Sequence, residues 1–431
     1  MTAGATQTNG LTESPKNKGV IEMSKIAVLG YGVVGSGTVE LFYKNKDKII
    51  RSAGKDLDIK YILDIRDFPD SPYADKFTKD FEQIVNDPEV TIVAEVIGGL
   101  KFSYGYVKAC LEKGKSVVTS NKELVAEKGA ELLKIASEHG CNFLFEASTG
   151  GAIPIIRPLH QCLAANDITA IAGILNGTTN FIITKMINEN MAFGDALALA
   201  QKLGYAEQDP TADIEGHDAC RKICILASLA FGKHVYPKWV HCEGISAVTL
   251  EDVMYAESWG GAVKLIGSVK RTEDGKILPM VRPAFVCNNN QLSHISDVFN
   301  GIMVYGDAVD EVMFYGRGAG KLPTASAIVA DIADAAKMTS TSISQTWEDS
   351  TDDSFIADYK DDVVSVYVRV KGVPAEKISA AFGTVEYLSR DGQPDSELAF
   401  ISPAMKERDF DAKLEAVGGE VLGKIRVLEL E

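Results

Sequence analysis

Residues 25–29 (KIAVL) make a short β-branched apolar run of the kind that forms a buried strand. The run leads directly into Gly30-Tyr31-Gly32-Val33-Val34-Gly35, and a helical pattern follows over residues 36–48. This order of strand, GxGxxG and helix restricts the fold more than any other part of the chain. The glycines let the backbone turn tightly and approach a pyrophosphate, whose charge the helix N-terminus stabilises. A merely tight turn would need the glycines but not the flanking strand and helix. A dinucleotide-binding α/β unit is therefore expected, with Gly30, Gly32, Val33, Val34 and Gly35 against the cofactor.

The next hundred residues repeat the alternation. A strand over residues 58–65 ends in Asp64-Ile65-Arg66-Asp67. An acid there binds ribose hydroxyls and an arginine accepts a 2′-phosphate. Both are present, so NAD and NADP are both supported, and NADP is the favoured one. A strand over 90–97 runs into Gly98-Gly99, which permits close approach beside a nicotinamide. Then come a helix over 102–112, a strand over 116–119, Ser120-Asn121-Lys122, a helix to 139 and a strand over 142–146. Such βαβ alternation gives a parallel doubly wound sheet, a Rossmann-type domain over residues 24–152. Gly98, Asn121, Lys122 and Glu146 should lie along its ligand edge.

A second feature is the stretch over residues 203–222, LGYAEQDPTADIEGHDACRK. An apolar helix ending at Gly204 precedes it, and a second apolar helix begins within it. Asp218 and Lys222 are four apart and share a face. Because Lys222 is followed at once by ICILASLAF, it sits at the edge of a buried helix. The residues support two readings: a solvated acidic loop with a weak surface ion pair, or a cleft lining that binds an ammonium and places a lysine at a reacting oxygen.

The chain has 431 residues and a formal net charge of −16. That length suits about two or three domains, and the acidic balance argues against a nucleic-acid partner. Apolar runs are too short to span a membrane. The seven cysteines form no CxxC pair, as in reduced cytoplasmic proteins. Residues 1–23 are polar, lack the apolar core of a signal peptide and read as a disordered tail, with Met23 as an alternative start. Residues 153–320 mix strands and helices, which suggests a central α+β domain with an open mixed sheet. A glycine-rich turn at 316–324 includes Gly320, and helix 324–338 returns the chain to the nucleotide domain. Residues 339–362 are rich in Ser, Thr and Asp and read as a linker. Residues 363–431 follow the order βαββαβ, the ferredoxin-like pattern of small amino-acid-sensing modules, and look separate.

With these motifs in place, the chain resembles the homoserine dehydrogenase family in its longer bacterial form with a C-terminal ACT domain. The resemblance covers nearly everything from residue 25 on. Its carriers are GYGVVG, VIGG at 96–99, TSNK at 119–122, EASTGGAIPI from 146, GILNGTTNFI from 173, LGYAEQDPTAD with GHDACRK, and GRGAGKLPTASA from 316. It implies NAD(P)-dependent interconversion of L-homoserine and L-aspartate 4-semialdehyde, a step of threonine, methionine and isoleucine biosynthesis. It implies Lys222 as proton donor, Asp218 as its catalytic partner and Lys122 beside nicotinamide and substrate. Glu207 and Asp213, with Gly204 and Tyr205, would bind substrate. Arg66, Gly98, Gly99, Lys122 and Gly320 would join the glycine loop at the cofactor. Glu146, Thr149, Gly151 and Ile153 fall where the family holds a monovalent cation, sodium, mainly through carbonyls, although Thr149 stands where valine is common. A homodimer or homotetramer and a threonine effector are further implications. Lys371-Gly372-Val373-Pro374-Ala375 replaces the usual Asp-x-Pro-Gly turn of the ACT domain, which sets the threonine response apart.

The chemistry agrees with the resemblance. Hydride transfer to an aldehyde builds alkoxide charge, which needs a cation or proton donor. A neighbouring carboxylate would hold Lys222 charged, whereas desolvation or Lys122 would make it give up its proton more easily. His217, Cys220 and Cys224 share one helical face, where packing is expected rather than a metal. His294, Cys242 and Cys287 show no partner. The alternatives are another NAD(P)-dependent amino-acid or aldehyde oxidoreductase, and an inactive sensor whose working part is the ACT module.

Overall fold

The computed structural model describes residues 24–338 and 347–429. The expected N-terminal tail with its alternative start, and residues 339–346 of the expected linker, lie outside the described residues.

The first unit contains β1 (Ser24–Leu29), α1 (Val33–Lys44), α2 (Lys46–Ala53), β2 (Leu57–Leu63), β3 (Phe77–Thr78), α3 (Phe81–Val85), β4 (Val90–Glu95), α4 (Ser103–Glu112), β5 (Ser116–Thr119), α5 (Lys122–Glu138) and β6 (Phe143–Leu144). Its strands are all parallel, in the order β3-β2-β1-β4-β5-β6. This is the doubly wound order, with a ligand crevice where the order reverses between β1 and β4. The central strands are apolar throughout because both faces are covered. Ala27, Leu29 and Val93 pack with α4 and α5, whereas Ile26, Val28 and Ile92 pack with α1. Gly35 lets α1 start against the loop, since a Cβ there would lie 1.9 Å from the Gly30 carbonyl oxygen.

The second unit contains β7 (Ile168–Ile174), α6 (Gly177–Glu189), α7 (Phe193–Lys202), α8 (Thr211–Ile214), α9 (His217–Phe231), β8 (His241–Cys242), α10 (Leu250–Trp259), β9 (Gly261–Arg271), β10 (Ile277–Cys287), β11 (Phe299–Gly306), β12 (Asp310–Arg317) and α11 (Lys321–Lys337). The apolar face of α9 (Ile223, Leu226, Ala227) shares a core with Val263, Leu265 and Val281 of the sheet. Ile328 and Ile332 of α11 pack with Val39 and Phe42 of α1.

The third unit contains β13 (Val363–Val364), β14 (Val366–Lys371), α12 (Ala375–Phe382), β15 (Glu386–Leu388), β16 (Glu397–Ile401), β17 (Met405–Lys406), α13 (Glu407–Val417) and β18 (Glu420–Val427). Its main strands pair antiparallel in the order β18-β14-β16-β15, the ferredoxin-like arrangement.

The structure corrects two expectations. The C-terminal module is not separate: β18 pairs with β10 through Ala284–Arg426 and Phe285–Val427, so both sheets run on as one. A buried ion cluster lies at the same junction. Arg369 Nε donates to Asp252 at 3.0 Å, Tyr367 donates to the same carboxylate at 3.0 Å, and Tyr255 donates to Glu397 at 2.8 Å. Nor is the whole of 339–362 a free linker. Trp347 is buried, its indole N–H donating to His234 Nδ1 at 2.8 Å, and Ile356 bridges to Ile277. The ring lies on Gly129 of α5, where a Cβ would meet it at 2.6 Å. One tryptophan thus fastens the strap to the nucleotide unit and to the loop after α9. Trp347→Ala is expected to cost about 3–5 kcal/mol of unfolding free energy in urea titrations. A loss below about 1 kcal/mol would show that the strap carries no packing.

Candidate active site

Helix α9 is capped by Gly216, whose φ of +80° would strain any side chain and where a Cβ would lie 3.1 Å from Cys242 Sγ. One turn in, Asp218 and Lys222 lie on the same face, 5% and 7% exposed. Lys222 Nζ donates to Asp218 Oδ2 at 2.8 Å and to the Leu175 carbonyl at 2.7 Å. Lys122 Nζ, from the first turn of α5 in the nucleotide unit, reaches Asp218 Oδ1 at 2.7 Å. The Asn176 amide donates to Asp218 Oδ2 at 2.9 Å and to Asp213 Oδ1 at 2.7 Å. One carboxylate therefore holds two lysines that come from two different domains.

The two lysines are pushed in opposite directions. Burial lowers the Lys222 ammonium below its ordinary value in spite of Asp218. Asp218 raises Lys122, outweighing desolvation. Burial opposes charge on Asp218, but Lys222 and Lys122 together hold its carboxyl well below the usual range. Burial, reinforced by Asp218, raises Asp213. Lys222 is thus the easier proton donor, and Lys122 the more persistent cation.

The ligand edge of the nucleotide unit lies close by. Glu95 is buried at the end of β4 and accepts from Ile97 N at 2.9 Å, Gly98 N at 3.1 Å, the Ser103 hydroxyl at 2.9 Å and the Thr119 hydroxyl at 2.7 Å. Gly98 and Gly99 take φ of +86° and +68°, and Asn121 Nδ2 donates to Gly99 O at 2.7 Å. At the far end, Asp64 accepts from Tyr31 N at 2.8 Å and holds Arg66 through contacts of 2.9 Å to Nε and Nη2. Arg66 holds the Asp64 carboxyl well below its ordinary value. A cavity of about 320 Å³ opens here, lined by Arg66, Phe68 and Lys79 among others.

Two family models match this chain, "Homoserine dehydrogenase" over residues 154–333 and "Homoserine dehydrogenase, NAD binding domain" over residues 30–146. A homoserine dehydrogenase of Bacillus subtilis is 43% identical over 312 residues, 72% of each chain. The chain belongs to the homoserine dehydrogenase family. It is accordingly an NAD(P)-dependent oxidoreductase. The crystal structure of a homoserine dehydrogenase from Thiobacillus denitrificans superposes with a TM-score of 0.85 at 33% identity, covering 95% of this chain and 99% of that one. A hyperthermophilic archaeal homoserine dehydrogenase mutant in complex with NADPH gives 0.61 at 27% identity, covering 73% and 97%.

The remaining candidate residues fall in three places. Gly204 (φ +78°), Tyr205 and Glu207 stand on the loop after α7. Tyr205 packs edge-on against Phe181 at 4.9 Å, and Glu207 is exposed with no ion pair among the described residues. In the glycine loop Val33 is 68% exposed, and Gly320 caps α11 where Lys321 pairs with Glu40 of α1 at 2.7 Å. Glu146, Thr149 and Ile153 are buried, and Gly151 takes φ of +57°. The Glu146 carboxylate accepts from Ile155 N, Ile156 N and Arg157 N at 2.7–2.9 Å. That leaves backbone carbonyls, rather than this side chain, to hold any cation there.

The helical face of His217, Cys220 and Cys224 is divided: His217 is exposed and both thiols are buried. Cys220 and Cys242 are raised by thiol–thiol hydrogen bonds and burial, the opposite of an activated nucleophile. His294 Nε2 lies 2.9 Å from the Asn288 carbonyl oxygen.

Sequence reasoning missed Glu95, the Leu175 carbonyl and the role of Asn176. Only Asn176 carried a signal, as a small polar residue opening a helix. The Asp218 pKa lies below its unfolded value of about 3.9, so its stabilisation is complete above that pH and is lost as pH falls through the folded value. Asp218→Asn should remove this acid-side component from melting curves taken between about pH 6 and pH 2. It should also destabilise the protein at pH 7 by about 3–5 kcal/mol, because it leaves Lys222 buried without its counter-ion. Superimposable wild-type and variant profiles would show that the pair is not coupled to folding.

Proposed function

We propose that this protein reduces L-aspartate 4-semialdehyde to L-homoserine, and runs the reverse, with Lys222 as the proton donor. The observation that carries the reading is the convergence of Lys222 and Lys122 on Asp218 between nucleotide and catalytic units. The nicotinamide supplies or accepts the hydride when bound. The exposed Glu207 carboxylate, which has no ion pair among the described residues, suits the substrate ammonium, with Asp213 of α8 as a second acid. Lys222, made more acidic by burial, gives its proton to the aldehyde oxygen as alkoxide charge develops. Lys122 stays charged and stabilises the same oxygen. Asp218 keeps both ammonium groups aimed at one point.

NADP is the preferred cofactor in this reading. Arg66 already occupies the Asp64 carboxylate that would otherwise bind ribose hydroxyls, and Arg66 and Lys79 line one cavity with their partners Asp64 and Asp67. The NADPH complex of the archaeal relative is consistent with this. The resemblance assigns a sodium ion to the backbone around Glu146, Thr149, Gly151 and Ile153. The antiparallel four-stranded module suits an amino-acid effector such as threonine. Exposed Met313 and Tyr315 on the edge strand β12 suit a homodimer or homotetramer. Seven free cysteines suit the cytoplasm.

Lys222→Ala is expected to lower kcat for semialdehyde reduction about 10²–10⁴-fold, while NADPH still binds with wild-type affinity by fluorescence titration. Near-normal turnover would refute the assignment. Arg66→Ala should raise KM for NADPH at least about tenfold and leave NADH little changed, the size expected for one charge-assisted phosphate contact. Equal effects on both cofactors would place Arg66 in loop structure alone.

A further inference from the structure

We infer that Asn176 is a positioning residue of the reaction: its single amide holds Asp213 and Asp218 side by side as charged acids for the substrate ammonium and for Lys222. The inference deepens the proposed function and rests on it.

Asn176 follows β7, is 5% exposed, and is the N-cap of α6. Its Oδ1 accepts from Thr179 N at 2.8 Å. That contact fixes which way the amide faces. Both hydrogens of Nδ2 then point at the acids, one to Asp213 Oδ1 at 2.7 Å and one to Asp218 Oδ2 at 2.9 Å. The acids belong to α8 and α9, so one side chain ties three helices at the reaction centre. The neighbouring Leu175 carbonyl takes the third partner, Lys222 Nζ, at 2.7 Å.

A neutral double donor suits this position. Asp218 already has Lys222 and Lys122, whereas Asn176 is the side-chain donor to Asp213 among the described residues. Asp213 also faces the charge of Asp218 from α9, which opposes its ionisation, and those of Lys222 from α9 and Lys122 from α5, which favour it. Arg221 acts on Lys122 from the side. A lysine in place of Asn176 would compete with the substrate ammonium for both acids. An apolar residue would let Asp213 take up a proton. The amide keeps the negative charge in place and leaves the outer lone pairs for substrate.

Two variants test this. Asn176→Ser keeps an oxygen to cap α6 but has no N–H to offer the two acids. Asn176→Asp keeps shape and cap but replaces both donors with negative charge. Each should move the acidic limb of kcat/KM for homoserine up by about one pH unit or more, the size of one lost hydrogen bond to a charged group. At neutral pH each should raise KM more than it lowers kcat, with NADPH affinity unchanged. Aspartate carboxyl ¹³C shifts in labelled protein read the same titration without turnover and should show the same upward movement in the serine variant. A serine variant that melts like wild type but shows neither movement would make Asn176 only a helix cap and overturn the inference. Wild-type protein with no turnover of homoserine would refute the proposed reaction, and the ¹³C titration would still decide the role of Asn176.

Discussion

The Asp218 carboxylate between Lys222 and Lys122 is the contact on which the rest of the site depends. Two ammonium groups would repel each other if they were buried together without an acid, and a buried acid without them would take up a proton. Each of the three needs the other two. Because Lys122 belongs to α5 and the pair belongs to α9, the ion triad also joins the nucleotide and catalytic units. Arg221 and Glu123 add a looser pair across the same gap, at 3.7 Å. Behind α5, Trp347 on Gly129 closes the other side of the joint.

Two asparagines show how one bond can serve both local and catalytic structure. Asn121 Oδ1 caps α5 through Leu124 N at 3.1 Å, while its Nδ2 holds the Gly98-Gly99 turn. Asn176 caps α6 with one atom and holds two acids with the other. In both cases the helix start and the site geometry share a single rotamer. A serine or aspartate could cap either helix equally well. Only an amide offers an acceptor on one side and two donors on the other.

Much of this was legible in the sequence, for identifiable reasons. The nucleotide unit has strong local signals: β-branched runs, a glycine turn and helix starts at fixed offsets. Asp218 and Lys222 were readable because a spacing of four places them on one helical face whatever surrounds them. The meeting of Lys122 with Asp218 was not readable from periodicity, since 96 positions separate them and only the resemblance to a family joined them. The buried charges at the C-terminal module were hidden for another reason. Arg369, Asp252 and Glu397 look like surface residues until the partner element is known. The strap was hidden by composition, because one buried tryptophan is outweighed by the Ser, Thr and Asp around it.

The buried charges also explain why the third unit reads as an independent fold yet is not a free one. Its own apolar core, Val368, Ile378, Phe400 and Phe410, satisfies α12 and α13 without help. The opposite face of its sheet carries Arg369, and Arg426 stands on the helix-covered face across from Val366; no apolar partner could cover either charge. Arg369 is completed by Asp252 from α10, and Arg426 by Glu407 of the module and Glu243 of the catalytic unit. Glu243 follows Cys242, whose thiol donates to Glu215 O at 3.3 Å, immediately before the turn that starts α9. Charge pairs with fixed hydrogen-bond geometry admit far fewer docking orientations than an apolar patch of equal area. The module is therefore held in one register against the catalytic unit, and its Arg426 pairs with Glu243, next to the Cys242 thiol that contacts the chain just before the helix that carries Asp218 and Lys222.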